Sequence, residues 1–413
     1  MAQRHRTIYL DNHATTRLDP RVLEAMLPWL TDRYGNAGSV THEMGREARE
    51  AVDESRAAFA AAIGAEPREI VFTGGATESA NLAILGTASR SRAATGGVPR
   101  GRVVTLATEH HAVLDPVEHL EREGFAVTRL PVVRQGDSDG VPGRVRLADL
   151  EAALTPDTFL VSVLLANNEI GVVQDMPAIA ERVRASNAVL HVDCAQALGR
   201  LPVDVDALGA DLASFSGHKF HGPKGAGALY VRRRRRAVRI DPLVFGGGQE
   251  RGLRSGTLDV PAIVGIAEAA RLANDGLAAE VPRMRSLRDR LWERLRAAVP
   301  DVAVNGPPLD GSDERGQPVP KGHSHALRND LPEDNHAHQI NHADDRGHAS
   351  KSTVRQPMHH DKSHGKTGEI DQEIPEQDRC QHAIRIRHQR CHHPLPPGAA
   401  AKPPNVVTRQ EKQ

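Results

Sequence analysis

The stretch Ile70-Val71-Phe72-Thr73-Gly74-Gly75-Ala76-Thr77-Glu78 decides how the chain is read. Three apolar residues run into two glycines, and a helical pattern follows through Leu85. The spacing predicts a buried strand that turns directly into a helix. Glycines at such a turn let backbone N–H groups approach an anion, and the helix N-terminus adds its dipole. Thr77 offers a hydroxyl beside them. A single phosphate fits best, because the segment lacks the GxGxxG spacing for a dinucleotide and the GK[ST] of a nucleoside triphosphate site. Taken alone, it reads equally well as a plain tight turn.

The same alternation recurs on both sides. Short apolar runs at Val103–Leu106, Phe159–Leu165, Val189–Val192 and Leu212–Phe215 are separated by helical patterns such as Ala112–Glu123 and Met176–Val183. Strands alternating with helices imply βαβ units, an α/β fold and a mostly parallel sheet. Upstream, Asp19-Pro20 reads as a helix cap and first-turn proline. Met44, Ala48, Val52, Phe59 and Ile63 form one helix face. Downstream, Ala226–Val231 reads as one more strand, ended by five arginines at 232–236. With no aromatics among them, these read as a solvated strand end in preference to a phosphate or nucleic-acid patch. Helical periods return from Pro261 to Ala273 and from Pro282 to Val299, the second leading into a smaller C-terminal domain.

Composition bounds what the chain can be. Its 413 residues suggest two or three domains. Lys plus Arg balances Asp plus Glu at 53 each, which removes the electrostatic case for a nucleic-acid or membrane partner. No apolar run approaches the roughly 20 residues of a membrane helix, and no secretory signal is expected at the N-terminus. Three cysteines, at 194, 380 and 391, fit a reducing compartment, so the expected location is cytoplasmic. The averages hide a break. All aromatic residues lie at or before Trp292, and from Gly316 to Gln413 only twelve Leu, Ile or Val occur in ninety-eight residues. That composition is too poor in apolar side chains to build a core. Thirteen of the 22 histidines fall there, as in His323-Ser-His325, His336-Ala-His338, His359-His360 and Cys391-His392-His393. A metal site needs a scaffold, and none is legible in this segment, so no metal is expected.

Four places carry chemistry. Ser214-Phe-Ser216-Gly217-His218-Lys219-Phe-His221-Gly222-Pro223-Lys224-Gly225 puts Lys219 after a short strand among small and polar residues. A lysine partly shielded from water has a lowered pKa and can form a Schiff base with an aldehyde; the alternative is a surface lysine in a glycine-rich loop. Val189-Leu-His-Val-Asp193-Cys194-Ala195-Gln196 ends a strand on an acid, where open α/β sheets bind ligands. Such an aspartate can hold a pyridinium nitrogen protonated, or simply cap a helix. Ala166-Asn167-Asn168-Glu169-Ile170-Gly171 follows the preceding strand at the same edge. Thr108-Glu109-His110-His111 supplies a ring to stack on a heterocycle or move a proton, unless that histidine is structural. Together, a phosphate cup, a Schiff-base lysine, a strand-end aspartate and a stacking histidine are the fixtures of a pyridoxal 5′-phosphate (PLP) site.

In these segments the chain resembles the cysteine desulfurases, the NifS/IscS-like group of class V aminotransferase-fold PLP enzymes. The matching residues are Tyr9-Leu-Asp-Asn-His-Ala-Thr-Thr16, Gly75-Ala-Thr-Glu78, Thr108-Glu-His110, Asn167-Asn-Glu-Ile-Gly171, His191-Val-Asp193, Ser216-Gly-His-Lys219 and Gly246-Gly-Gly-Gln-Glu-Arg-Gly-Leu-Arg-Ser-Gly-Thr257. They keep the family's order over roughly residues 7 to 305. The resemblance implies the PLP-dependent transferase fold type I, with residues 1–20 as an N-terminal segment and 21–260 as the large domain. Residues 261–312 would then begin a small domain that is incomplete, and 313–413 form a divergent His/Pro-rich tail. It implies that Lys219 binds the cofactor aldehyde, Asp193 the pyridine nitrogen and Gln196 the phenolic oxygen, while His110 stacks on the ring and joins in proton transfer. Ala76, Thr77, Ser216 and His218 match phosphate-binding positions, as does Thr257, contributed by the other subunit of a homodimer. Asn168 matches a position near the substrate carboxylate. Cys194 reads as a small core residue.

The implied reaction converts L-cysteine to L-alanine. A loop-borne thiolate takes the sulfur as a persulfide and passes it to an acceptor or iron–sulfur scaffold protein, for cluster assembly or tRNA thiolation. From about Asp313 the resemblance stops, as a shifted reading frame or a replaced 3′ end would produce. The family's S-x-A-C loop has no counterpart: Cys380 stands in Gln-Asp-Arg-Cys-Gln-His and Cys391 in Gln-Arg-Cys-His-His. The open alternatives are another class V enzyme, such as a cysteine or selenocysteine lyase or an aminotransferase, and a non-catalytic desulfurase remnant.

Overall fold

The computed structural model describes residues 8–299 and 301–309. Asp19 caps the first helix, α1 (Pro20–Leu30), by accepting the Arg21 N–H, with Pro20 in the first turn where its missing donor costs nothing. His42 caps α2 (Glu43–Ala62) with Nδ1 on the Gly45 N–H, and the helix buries Ala48, Val52 and Phe59 on the face that the sequence predicts.

The strands are β1 (Ile70–Thr73), β2 (Arg102–Leu106), β3 (Ala126–Leu130), β4 (Thr158–Leu164), β5 (Val189–Asp193), β6 (Leu212–Ser216) and β7 (Gly227–Val231). They form one sheet in the order β1-β7-β6-β5-β4-β2-β3. β7 runs antiparallel to both its neighbours, and β6, β5, β4, β2 and β3 are mutually parallel. The remaining helices are α3 (Ala76–Ala94), α4 (His111–Arg122), α5 (Leu147–Ala153), α6 (Met176–Ala185) and α7 (Val260–Ala298). Strands β6 and β7 are buried at every position and β4 at all but Phe159, as continuous apolar runs require, and the edge strand β1 is buried throughout as well. One apolar cluster unites α2, α6 and the start of α7 with Phe72, Val163, Val192 and Phe215. A second packs Ile84, Val113, Val117 and Leu120 over Val103 and Leu160. The C-terminal ends of β1, β2, β4, β5 and β6 therefore lie along one edge of the sheet.

Three features depart from the sequence reading. β3 has no sequence counterpart because it leaves Ala126 to Thr128 half-buried and Arg129 exposed, which breaks the apolar run, whereas β1 at the other edge is buried throughout. The two helical periods after residue 260 are one helix, α7, which contains Pro282. Pro282 and Ala278 are exposed there, so the carbonyl that proline leaves unbonded can meet water. Residue 261 lies in the first turn of α7, and the tail beyond 313 lies outside the described residues. The arginine run is not a solvated strand end throughout. Arg232 is buried, donates to the Ala210 carbonyl and pairs with Asp211, while Arg234 pairs with Glu69 and Asp206; only Arg235 and Arg236 are exposed.

A buried ion pair ties the chain's distant parts. Arg56 on α2 grips Glu250 with both terminal nitrogens, at 2.8 and 2.6 Å, and Glu250 also accepts the Phe72 N–H of β1 at 2.8 Å. Substituting Glu250→Gln keeps the shape but leaves a buried guanidinium without its counter-charge. We expect a loss of about 3–5 kcal/mol of stability in urea unfolding, whereas a loss below about 1 kcal/mol would mean that the pair behaves like a surface one.

Candidate active site

The edge where the strands end gathers the chemistry. β1 runs into Gly74 and Gly75, and Gly75 takes φ 149°, a backbone open to glycine alone, before α3 begins. Gly227 opposite also has to be a glycine: a Cβ there would stand 2.4 Å from the Gly75 backbone. The first amides of α3 are thus presented at a narrow, glycine-walled turn. The Ser216 side chain faces it, 3.9 Å from where a Gly75 Cβ would stand, and its hydroxyl makes no hydrogen bond among the described residues. Thr73 and Ser79 brace the turn from behind at 2.7 Å, and Glu78 accepts the Gly74 N–H while pairing with Arg254. A cavity of about 590 Å³ adjoins, lined by Thr77, Asn81, His110, His111 and Pro116 among others. Its volume lies in the ordinary range of small-ligand sites.

Lys219 follows β6 in a short 3₁₀ turn and is half-buried. Its Nζ donates to the His13 carbonyl at 2.6 Å, and Gln196 Nε2 donates to the same oxygen at 3.0 Å. Burial lowers the lysine pKa and the Arg200 cation lowers it further, against the opposing pull of Asp193 and Asp11. Gln196 is buried, and its Oε1 has no partner. Asp193 ends β5 at 2% exposure. Its Oδ1 accepts from Ala195 N at 2.9 Å and Ser214 Oγ at 3.1 Å, and Oδ2 accepts nothing from the described residues. Burial pushes this carboxyl up, while those two donors and the nearby His110 and Lys219 pull it back. The helix-cap alternative for Asp193 does not hold, because residues 195–200 form turns and β6 is the next element after β5; the Ala195 bond closes a turn.

His110 caps α4: its Nδ1 accepts the Ala112 N–H at 3.0 Å, and the ring is exposed. His218 Nδ1 meets Thr15 Oγ1 at 3.0 Å, and its carbonyl accepts the Thr16 N–H, so residues 13–16 are strapped across this edge. Asn167 holds its own loop shut by accepting the Glu169 and Ile170 amides and reaching back to the Thr108 carbonyl, while Asn168 beside it is half-buried and its side chain makes no hydrogen bond among the described residues. Thr257 is exposed and hydrogen-bonds to none of the other candidates. Cys194 is buried, and burial together with Asp193 drives its thiol pKa well up. The later histidine pairs, Cys380 and Cys391 lie outside the described residues.

Sequence reasoning overlooked four participants. The His13 carbonyl is a backbone acceptor without a side-chain signature. Arg200 reaches Lys219 only through the fold. Glu109 is fully enclosed, with Oε1 on the Leu164 N–H at 2.8 Å, Oε2 without a partner, and burial raising its pKa well above the carboxylate range. His191 lies between two serine hydroxyls in the sheet.

The chain matches the class-V aminotransferase family over residues 8–326. It is 50% identical over 308 residues to the mitochondrial cysteine desulfurase of Arthroderma benhamiae, covering 75% of this chain and 59% of that one. It is 51% identical over 302 residues to the cysteine desulfurase IscS of Pectobacterium carotovorum, covering 72% of this chain and 71% of that one. Among solved structures, a NifS-like protein aligns at TM-score 0.65 with 42% identity, over 70% of this chain and 76% of the other. DndA of Streptomyces lividans aligns at TM-score 0.60 with 44% identity, over 70% and 78%. The architecture is the type I fold of PLP-dependent transferases.

Burial holds the His191 imidazole neutral by lowering its pKa from 6.5 to about 3. Below pH 6.5 the unfolded chain therefore binds a proton that the folded chain refuses. Its contribution to stability is present above 6.5 and is lost as pH falls toward 3. We expect His191→Gln to flatten the acid limb of stability against pH by up to about 1.4 kcal/mol per pH unit, read by urea unfolding at a series of pH values. An unchanged slope would contradict a neutral buried ring.

Proposed function

The chain belongs to the class-V aminotransferase family, within its NifS/IscS-like cysteine desulfurase group, and from that premise we propose that it is a PLP-dependent cysteine desulfurase converting L-cysteine to L-alanine. One observation carries the reading: a half-buried lysine, a buried strand-end carboxylate and a glycine-walled helix N-terminus converge on one sheet edge. The residues fit the cofactor. The cup has an unpaired Ser216 hydroxyl for a phosphate, Asp193 keeps Oδ2 free for a ring N–H, and Gln196 has an orphaned polar atom.

In this assignment the α3 amides of Ala76 and Thr77 hold the phosphate together with Ser216 and His218. Asp193 takes the ring nitrogen, Gln196 the phenolic oxygen, His110 the ring face and Lys219 the aldehyde carbon. Bound there, the cofactor supplies an electrophilic aldehyde and a ring that withdraws electrons from the substrate Cα. Lys219, its ammonium destabilised by burial and by Arg200, gives up its proton more readily than an exposed lysine and serves as the base at Cα. His110 spends Nδ1 on its helix cap, which leaves Nε2 to exchange protons. Asn168 sits on the neighbouring loop with its amide free for the substrate carboxylate.

Sulfur leaves to an attacking thiolate. Cys194 does not supply it, because its thiol is enclosed and held protonated. The acceptor thiol is therefore carried outside the described residues or by a second protein, and the sulfur serves iron–sulfur cluster assembly or tRNA thiolation. The same reading takes the working form as a cytoplasmic homodimer, in which Thr257 of one copy reaches the phosphate of the other. It takes residues 21–260 as the large domain, with a small domain beginning at 261.

The test uses the full chain loaded with PLP, given L-cysteine and excess dithiol. Alanine and sulfide should form in equal amounts, as the dithiol reduces the transferred sulfur. Lys219→Ala should lower alanine formation about a thousandfold. Cofactor-loaded protein that makes no alanine would overturn the proposal.

A further inference from the structure

A line of polar side chains runs from the middle of the sheet to Asp193, and the assignment above makes no use of it. Ser162 on β4 is the register partner of His191 on β5, and Ser214 on β6 is the register partner of Asp193. His191 and Asp193 are two residues apart on one strand, so their side chains share a face of the sheet. Ser162, His191 and Ser214 are all fully buried, at 0% exposure. Ser162 Oγ lies 2.8 Å from His191 Nδ1, His191 Nε2 lies 3.3 Å from Ser214 Oγ, and Ser214 Oγ lies 3.1 Å from Asp193 Oδ1.

The proton positions follow from what each group can do. An ionised carboxylate only accepts, so Ser214 spends its single O–H on Asp193. Toward His191 the Ser214 oxygen is then an acceptor, and Nε2 must carry the ring proton. Nδ1 is left bare and accepts the Ser162 O–H. All three hydrogen bonds point the same way and end on the carboxylate.

We propose that His191 is a positioning residue which, as its Nε2–H tautomer, locks the Ser214 hydroxyl onto Asp193 and so fixes the carboxylate that meets the cofactor ring. The ring's complete burial keeps it neutral, so the lock carries no pH switch of its own. The other titratable groups facing Asp193 are Glu109 and His110 from the turn before α4, Lys219 from the turn after β6, and the adjoining Cys194. Glu109 is itself held toward its neutral acid by burial, which spares Asp193 a second negative charge. The link to the cofactor rests on the proposed function; the tautomer does not.

Two measurements separate these parts. In full-length protein labelled with ¹⁵N-histidine, the His191 signals are identified by their loss in His191→Gln. They should show a protonated Nε2 and a bare Nδ1, unchanged from about pH 5 to about pH 8. The opposite tautomer, or an imidazolium in that range, would overturn the lock. The second readout is PLP affinity together with the pH dependence of the visible band of bound cofactor. His191→Phe should weaken PLP binding about tenfold, the cost of loosening one hydrogen bond to a charged group, and should shift the band's transition. His191→Gln, which keeps an N–H donor toward Ser214, should restore affinity to within about threefold. If His191→Phe does not fold, Ser214→Ala breaks the same link and should reproduce the tenfold loss. Equal behaviour of the Gln and Phe variants, or undiminished affinity in Ser214→Ala, would overturn the positioning role. A wild-type chain that binds no PLP would instead defeat the proposed function, and the tautomer would still be decided by the first measurement.

Discussion

Glu250 is buried in contact with Arg56, and much of the site depends on this one pair. Both charges are withdrawn from water, with side chains 0% and 9% exposed, which is tolerable because each charge faces the other through two hydrogen bonds. Arg56 also donates to the Ile70 carbonyl and lies over the Phe72 ring, while Glu250 takes the Phe72 N–H. Arg251 reaches the same Ile70 carbonyl. Residues 250 and 251 adopt positive φ to make this geometry, so the glycine-rich segment around them is pinned to β1 and not free to drift. Arg254 then reaches Glu78, whose other contact braces Gly74. A charge pair at the back of the sheet thereby sets the shape of the turn at its front.

The front edge is built from opposing demands. Burial raises the cost of every charge placed there, yet Lys219 and Asp193 must both change or hold charge to work. The chain meets this by surrounding each with fixed dipoles: the His13 carbonyl on Lys219, and the Ala195 N–H and Ser214 hydroxyl on Asp193. Arg200 adds a cation that makes the lysine easier to deprotonate. Such dipoles are in place before any ligand arrives, so reorganisation costs little. Residues 13–16 complete the arrangement from the far end of the chain, through Thr15, Thr16 and the His13 carbonyl.

Much of this was legible in the sequence. Strand-to-helix alternation identified six of the seven strands near their observed limits, because buried central strands are continuous apolar runs between turn residues. β1 is legible although it lies at an edge, because it is buried throughout, whereas β3 at the other edge is half in contact with solvent and has no such run. The periods from Pro261 to Ala273 and from Pro282 to Val299 read as two helices where α7 is one, and only the exposure of the turn at Pro282 shows why a proline is accepted there. The arginine run was read as solvated because local charge says nothing of acids brought in from elsewhere, here Glu69, Asp206 and Asp211.

By itself, the sequence determined which groups could do chemistry: the lysine after β6, the acid ending β5, the histidine before α4 and the glycines after β1. Each is a residue type with a distinct chemical capacity at a place that local periodicity marks. The tertiary structure alone decided how those groups are tuned. The strand order β1-β7-β6-β5-β4-β2-β3 brings Ser162 and Ser214 to either side of His191, and the helices, turns and N-terminal segment packed on that sheet bring Arg56 to Glu250 and Lys219 to the His13 carbonyl. Hydrogen bonds and ion pairs act over a few ångströms, whereas these partners lie up to 206 positions apart in the chain. Their meeting is a property of how the elements pack together, which no local pattern encodes.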